Sequence, residues 1–333
     1  MKRARALLLG ATLSLLGIAA TESGYRSLER AEGLALAPPD KAERLFVLRD
    51  DEQLNEQGFR ERKLSLDKPQ RMQRVVVLGD SVTFGAGVRI HETWTRQAEL
   101  LLKDKARVQL VNLAVYSYDV AQIAATMRYD GWAWSPDLVV YAAYTNDHIP
   151  TDLLEMEGGP VYVGGTVAPE LPALGQSLLP HSALVRRAYG ALAARQQGRI
   201  RQAEWDGDMG FFEAGLRELA LECRAHGVPL MVYGLVPHDA AGGCEGSSAC
   251  DTALVTSAAM GELAQSLDLP FASALPYLDA SGQQAFHLPD SGGLDPAHPS
   301  VEGHAVLAEG FADSWLRLRE GRDLLDGATT KPR

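Results

Sequence analysis

The rhythm of apolar and polar positions changes near Arg71. From there on, short β-branched runs alternate with longer stretches in which apolar residues recur every three or four positions. The short runs predict strands over Arg74–Leu78, Val108–Leu113, Leu138–Tyr144, Pro229–Leu235 and Phe271–Leu275. The longer ones predict helices over Thr93–Lys105, Val120–Trp132, Gly210–His226, Asp251–Leu267 and Pro299–Arg319. Strands that alternate with helices imply an α/β chain, with a five-stranded parallel sheet covered on both faces. Ligands of such sheets bind beyond the carboxyl ends of the strands.

Three stretches break this rhythm. Residues 22–70 are mixed and charged, contain Pro38-Pro39 and show no sustained period, so they read as an extracytoplasmic stalk or extension. Within them, Asn55-Glu-Gln-Gly58-Phe59-Arg60 is a candidate to pack on the main domain. Residues 151–208 begin with a Gly-, Pro- and Val-rich stretch and continue into a basic one, and they are expected to be an insertion: a lid, a substrate wall or a surface elaboration. The main domain is therefore expected over 71–320, with a flexible tail at 321–333.

The first residues have a different character. Lys2, Arg3 and Arg5 precede an apolar run from Ala6 to Ala20, and Thr21 and Glu22 follow. Residues 1–21 read as a signal peptide or an uncleaved signal anchor, which sends the body of the protein out of the cytoplasm. A periplasmic protein is expected, either soluble or held at the inner membrane by residues 6–20. In an oxidising compartment Cys244 and Cys250, which bracket a short loop, are disulfide candidates. Cys223 follows the apolar pattern of a helix and reads as a buried small hydrophobe.

Composition narrows the function. The 333 residues are 46% hydrophobic and 23% charged, as expected of a sizeable globular domain. A net charge of -11 removes nucleic acid from the partners considered. No histidine pair has the spacing of a helical metal site, so neither metal nor other cofactor is expected.

The candidate chemistry gathers at predicted strand ends. The first strand runs into Gly79-Asp80-Ser81, which sets a serine hydroxyl at a strand-to-helix corner among backbone N–H groups. By itself that tripeptide is equally an ordinary capped turn. Asn112-Leu-Ala-Val-Tyr-Ser117-Tyr118 follows the second strand, and Tyr144-Thr145-Asn146-Asp147-His148 closes the third. Near the C-terminus, Asp295 and His298 are spaced so that the carboxylate can orient the imidazole. Pro299 is expected to open the next helix and leave His298 at its mouth. His304 reads as structural.

In order and rough spacing, these segments resemble the SGNH (GDSL-type) hydrolases, exported bacterial members included. The resemblance covers roughly 71–317, and the Asn55…Arg60 segment looks like one that precedes the first strand in such members. It implies a flavodoxin-like three-layer α/β/α fold and ester hydrolysis through an acyl-serine. It implies Ser81 as nucleophile, Asp295 and His298 as its partners, and Ser81, Ser117 and Asn146 as the oxyanion hole. Asp80, Tyr144 and His148 are expected to line the substrate site.

Two positions depart from the family pattern. Ser117 stands where a glycine is usual, and Tyr144 replaces the glycine of a Gly-x-Asn-Asp block. The substrate expected is a small ester, an acylated glycan or a lipid. Two alternatives remain at this point: an envelope O-acyltransferase using the same triad, and a non-catalytic protein that binds a glycan or lipid.

Overall fold

A computed structural model describes residues 17–23, 34–48, 53–154, 161–164, 178, 182, 184–185, 188, 209–237, 248–281, 285, 287–288, 293–294 and 297–321. The chain forms two compact units, residues 1–36 with 151–204 and residues 37–150 with 205–333.

The larger unit is built on five strands: β1 (Gln73–Gly79), β2 (Val108–Asn112), β3 (Leu138–Tyr144), β4 (Leu230–Leu235) and β5 (Phe271–Ser273). Their order across the sheet is β2-β1-β3-β4-β5, and every neighbour is parallel. This is the flavodoxin-like order. The short apolar runs have no alternation because both faces are covered, and β3 is buried along its whole length.

The helices are α1 (Ser81–Phe84), α2 (Trp94–Leu102), α3 (Val120–Tyr129), α4 (Gly210–Ala225), α5 (Ser248–Ser266), α6 (Leu275–Ser281) and α7 (Val301–Arg319). Val75 and Val77 of β1 share one core with Trp94 and Leu102 of α2 and with Phe311 and Trp315 of α7. On this face the Tyr233 ring meets Trp94 at 5.6 Å and Phe311 at 5.9 Å. The opposite pleat of β3 turns Tyr141 towards Phe212 of α4, with ring centroids 6.0 Å apart. Helices α3 and α4 pack together on that side. The three layers follow.

Helix ends match local chemistry. Asp119 caps α3 by accepting from the N–H groups of Ala121 and Gln122. Helix α7 starts later than expected: Ser300 is its N-cap, accepting from Gly303 N at 3.1 Å, and Pro299 lies outside it. A hydroxyl cap outweighs the preference of proline for the first turn.

Part of the stretch expected over 22–70 as a stalk or extension packs into the larger unit. Residues 37–48 and 53–70 belong to the larger unit, with Arg44, Phe46 and Phe59 buried. Arg74, fully buried in β1, donates to the carbonyls of Ser65, Leu66 and Trp134 and to Gln109 Oε1. A buried guanidinium needs such partners, and the chain before β1 supplies two of them.

In the smaller unit, Thr151–Leu154 and Val161–Gly164 pair as an antiparallel hairpin. The Glu22 carboxylate accepts from Ser182 Oγ at 2.9 Å and Leu184 N at 3.0 Å. Among the described residues no helix is long and apolar enough to cross a membrane, and residues 1–16 lie outside them. Cys244, the side chain of Cys250 and residues 322–333 also lie outside the described residues.

Candidate active site

The turn after β1 is shaped by close packing. A side chain at Gly79 would meet Thr83 Oγ1 at 2.7 Å and the Ala142 carbonyl at 3.1 Å, so only glycine lets β1 lie this close to β3 and α1. Asp80 then caps α1, accepting from Val82 N at 3.0 Å, and Ser81 becomes the first helical residue. The single turn ends at Gly85, whose φ of 83° is left-handed.

The side chain of His298 returns to this corner. Its Nε2 lies 3.0 Å from Ser81 Oγ across 217 residues of sequence. That is hydrogen-bond contact between a hydroxyl and a base, the arrangement that activates a serine. Its expected orienting partner, Asp295, lies outside the described residues.

The other strand ends border the same corner. Leu113 N donates to the Val77 carbonyl and Val115 N to the Gly79 carbonyl, so the chain after β2 runs beside the end of β1. The Tyr116 ring packs edge-on against Phe84 of α1 at 5.4 Å. Ser117 follows with φ of 63°. The backbone therefore takes the left-handed conformation here, and a serine bears its cost. Asn112 braces the corner from beneath: its Nδ2 donates to the Thr83 carbonyl at 2.7 Å, and its Oδ1 accepts from Ala114 N at 3.0 Å.

Asn146 stands just beyond β3. Its side-chain oxygen is buried and has no hydrogen-bond partner among the described residues. The acceptor side of this amide is therefore unused by the described residues.

Asp80, expected to bind substrate, is put to other use. It is 1% exposed; its Oδ1 accepts from Val82 N, and its Oδ2 lies 3.4 Å from Ser81 Oγ, farther than His298 Nε2 at 3.0 Å. Burial pushes its carboxyl up to about 6, opposed by the Val82 N–H and by the charge of His298. Burial and the nearby Asp80 raise Asp147 well above the usual carboxylate range, and its Oδ2 accepts from the Tyr141 hydroxyl and from Tyr144 N. Tyr144 is 6% exposed and directs its hydroxyl to the Ala297 carbonyl. His148 is half-buried and its Nδ1 lies 2.8 Å from the Thr145 carbonyl, a contact within its own turn.

The sequence matches a known family. The GDSL-like lipase/acylhydrolase family model matches residues 77–306. The chain belongs to this family. No curated protein matches the chain. Among solved structures, a putative lipolytic protein of the G-D-S-L family from Desulfitobacterium hafniense is similar at 13% identity and a TM-score of 0.44, over 72% of this chain and 98% of that one. An acetylxylan esterase from Geobacillus stearothermophilus is similar at 17% identity and a TM-score of 0.44, over 78% of this chain and 96% of that one.

For a GDSL-like acylhydrolase the position of Ser117 has a plain meaning. Ser117 keeps its backbone N–H while taking a left-handed φ without being glycine. Among the described residues no cluster of His, Cys, Asp and Glu could hold a metal ion.

Sequence reasoning missed the residues that hold the corner rather than react at it: Arg60, Glu61, Thr83 and the amide of Asn112. Arg60 did carry a signal, as the last residue of the Asn55…Arg60 segment. Nothing local tells that Glu61 folds back to accept from Asn112 N at 2.9 Å.

Proposed function

We propose that this GDSL-like acylhydrolase is an exported serine esterase that cleaves a carboxylic ester, O-acetyl or short-acyl, through an acyl-serine. The observation that carries this reading is the 3.0 Å contact between His298 Nε2 and Ser81 Oγ at the carboxyl edge of the sheet.

In the proposed reaction Ser81 Oγ attacks the ester carbonyl while His298 Nε2 takes its proton. The N–H groups of Ser81 and Ser117 and the Asn146 amide receive the oxyanion. His298 then protonates the leaving alcohol as the carbon–oxygen bond breaks. Water, activated by the same imidazole, attacks the acyl-serine and releases the acid. Asp295 is assigned to accept a hydrogen bond from Nδ1–H, fixing the tautomer and stabilising the imidazolium.

Aryl ester hydrolysis and fluorophosphonate labelling test the assignment. Wild-type protein should label at Ser81 and turn over aryl acetates, and Ser81→Ala should do neither. A Ser81→Ala protein with wild-type turnover would overturn it. Export is supported by the basic and apolar character of residues 2–20. Cell fractionation that finds the full chain in the cytoplasm would remove that part of the reading.

A further inference from the structure

The turn that carries Ser81 is too short to hold its own geometry. Helix α1 has only four residues, and a single turn fixes many torsions for few hydrogen bonds. Its last carbonyls have no following turn to accept from.

Arg60 supplies what is missing. Its Nη1 donates to the carbonyls of Phe84 at 2.9 Å and Gly85 at 3.2 Å, and its Nη2 donates to that of Val88 at 2.6 Å. Its Nε is fixed by Gln53 Oε1 at 3.0 Å, and the guanidinium lies 5.0 Å from the centre of the Phe84 ring. A side chain at Gly85 would stand 3.3 Å from Arg60 Nη1, so glycine there also keeps the approach open. Positive charge at the carbonyl end of a helix is favourable, and a planar fork can hold several acceptors at once.

Arg60 is itself held in place. Asn55 Oδ1 accepts from Gln57 N and Phe59 N, both at 3.1 Å, and Gly58 takes φ of 81° to close that turn. Phe59 is fully buried and Arg60 is 8% exposed. The next residue, Glu61, accepts from Asn112 N, while the Asn112 amide holds the Thr83 carbonyl. The segment before the fold therefore grips α1 directly through Arg60 and indirectly through Glu61. It lies outside residues 77–306, which the family model matches.

We propose that Arg60 is a positioning residue for the nucleophile: by holding the carbonyls of Phe84, Gly85 and Val88 it fixes the turn that keeps Ser81 within reach of His298. Its catalytic consequence rests on the esterase reading above. Its structural consequence does not.

The test uses the full chain with Arg60→Gln and Arg60→Lys, reading kcat and KM on an aryl ester and amide hydrogen exchange over residues 81–86. The hydrogen-bonded amides there are Val82 N, which donates to Asp80 Oδ1, and those of Phe84, Gly85 and Ala86, which donate to Asp80 and Ser81 carbonyls. Arg60→Gln should lower kcat at least about tenfold, since small misplacements of reacting groups are costly, with KM held within about twofold. Its exchange should quicken over this turn but not in β3. Arg60→Lys keeps the charge without the fork and should recover part of the loss. If Arg60→Gln does not fold, Arg60→Lys decides alone, with an expected loss of about threefold or more in kcat. A folded variant with wild-type kcat and wild-type exchange overturns the proposal. Should the wild type neither label nor turn over esters, the esterase reading falls, and the exchange comparison still decides whether Arg60 holds the turn.

Discussion

Tyr144, the last residue of β3, donates its hydroxyl proton to the carbonyl of Ala297 at 3.3 Å, one residue before His298. The same tyrosine donates its backbone N–H to Asp147. This side chain thus ties the third strand to the loop that carries His298. Tyr144→Phe removes only the hydroxyl and should lower kcat about threefold to tenfold, the worth of one hydrogen bond, with KM little changed. Steady-state kinetics decide it: an unchanged kcat means the loop is held without this tie.

Ser117, at φ of 63°, should tolerate only some substitutions. Ser117→Gly relieves roughly 1 kcal/mol of backbone strain and gives back a similar amount in unfolded-chain entropy. It should keep its melting temperature and its kcat within about threefold, because the N–H remains. Ser117→Val sets a β-branched residue at positive φ and should cost about 2 kcal/mol and most of the activity. Thermal melts and turnover that leave valine equal to serine would show that this conformation is not required.

His304 gives a pH dependence of known sign. It is fully buried, its Nδ1 accepts from Trp94 N at 3.1 Å, and burial lowers its pKa from 6.5 to about 3. The unfolded chain takes up this proton near pH 6.5 and the folded one does not. The stabilisation is therefore complete above pH 6.5 and falls away as pH drops towards 3. Glu61, raised to about 7 by burial, and Asp80, raised to about 6, work in the opposite direction over the acid range. Comparison with His304→Gln isolates the histidine. Between pH 7 and pH 5 the wild type should lose about 2 kcal/mol relative to the variant in urea melts. Parallel pH profiles would contradict the neutral, buried state of His304.

Gly303 lies beneath the loop of His298. A side chain there would stand 1.9 Å from the Ala285 carbonyl oxygen, which also accepts from Ser300 N at 2.7 Å. Gly303→Ala must push these backbones apart, and about 2 kcal/mol or more of stability should go with it. Since Ser300 caps the helix that follows His298, kcat should fall as well. A variant that melts and turns over like the wild type would mean the loop yields without cost.

The five strands and the main helices were legible because both faces of a parallel sheet are covered, which leaves unbroken apolar runs between amphipathic ones. Errors gathered at ends and edges. Helix α3 was expected to reach Trp132 but stops at Tyr129, where Asp130 leaves the helical conformation and its carboxylate pairs with Arg44 and Lys41. Residues 37–48 and 53–70 read as part of a stalk or extension because no period runs through them. Their place in the fold rests on single buried anchors such as Arg44, Phe46, Phe59 and Arg60, which make no pattern.

At the site, the residue types and the glycine turn before Ser81 could be read from the chain, because each is set by local chemistry: a corner, a cap, a strand end. The partners of Asp80 and Tyr144 could not. The sequence by itself determined a parallel α/β sheet with a serine at one strand end and a histidine far along the chain. Tertiary structure alone decided that the imidazole meets the hydroxyl at 3.0 Å and that Arg60 donates to the carbonyls that follow Ser81. Periodicity reports which face of an element is buried, and says nothing of which distant polar group satisfies a carbonyl once it is there.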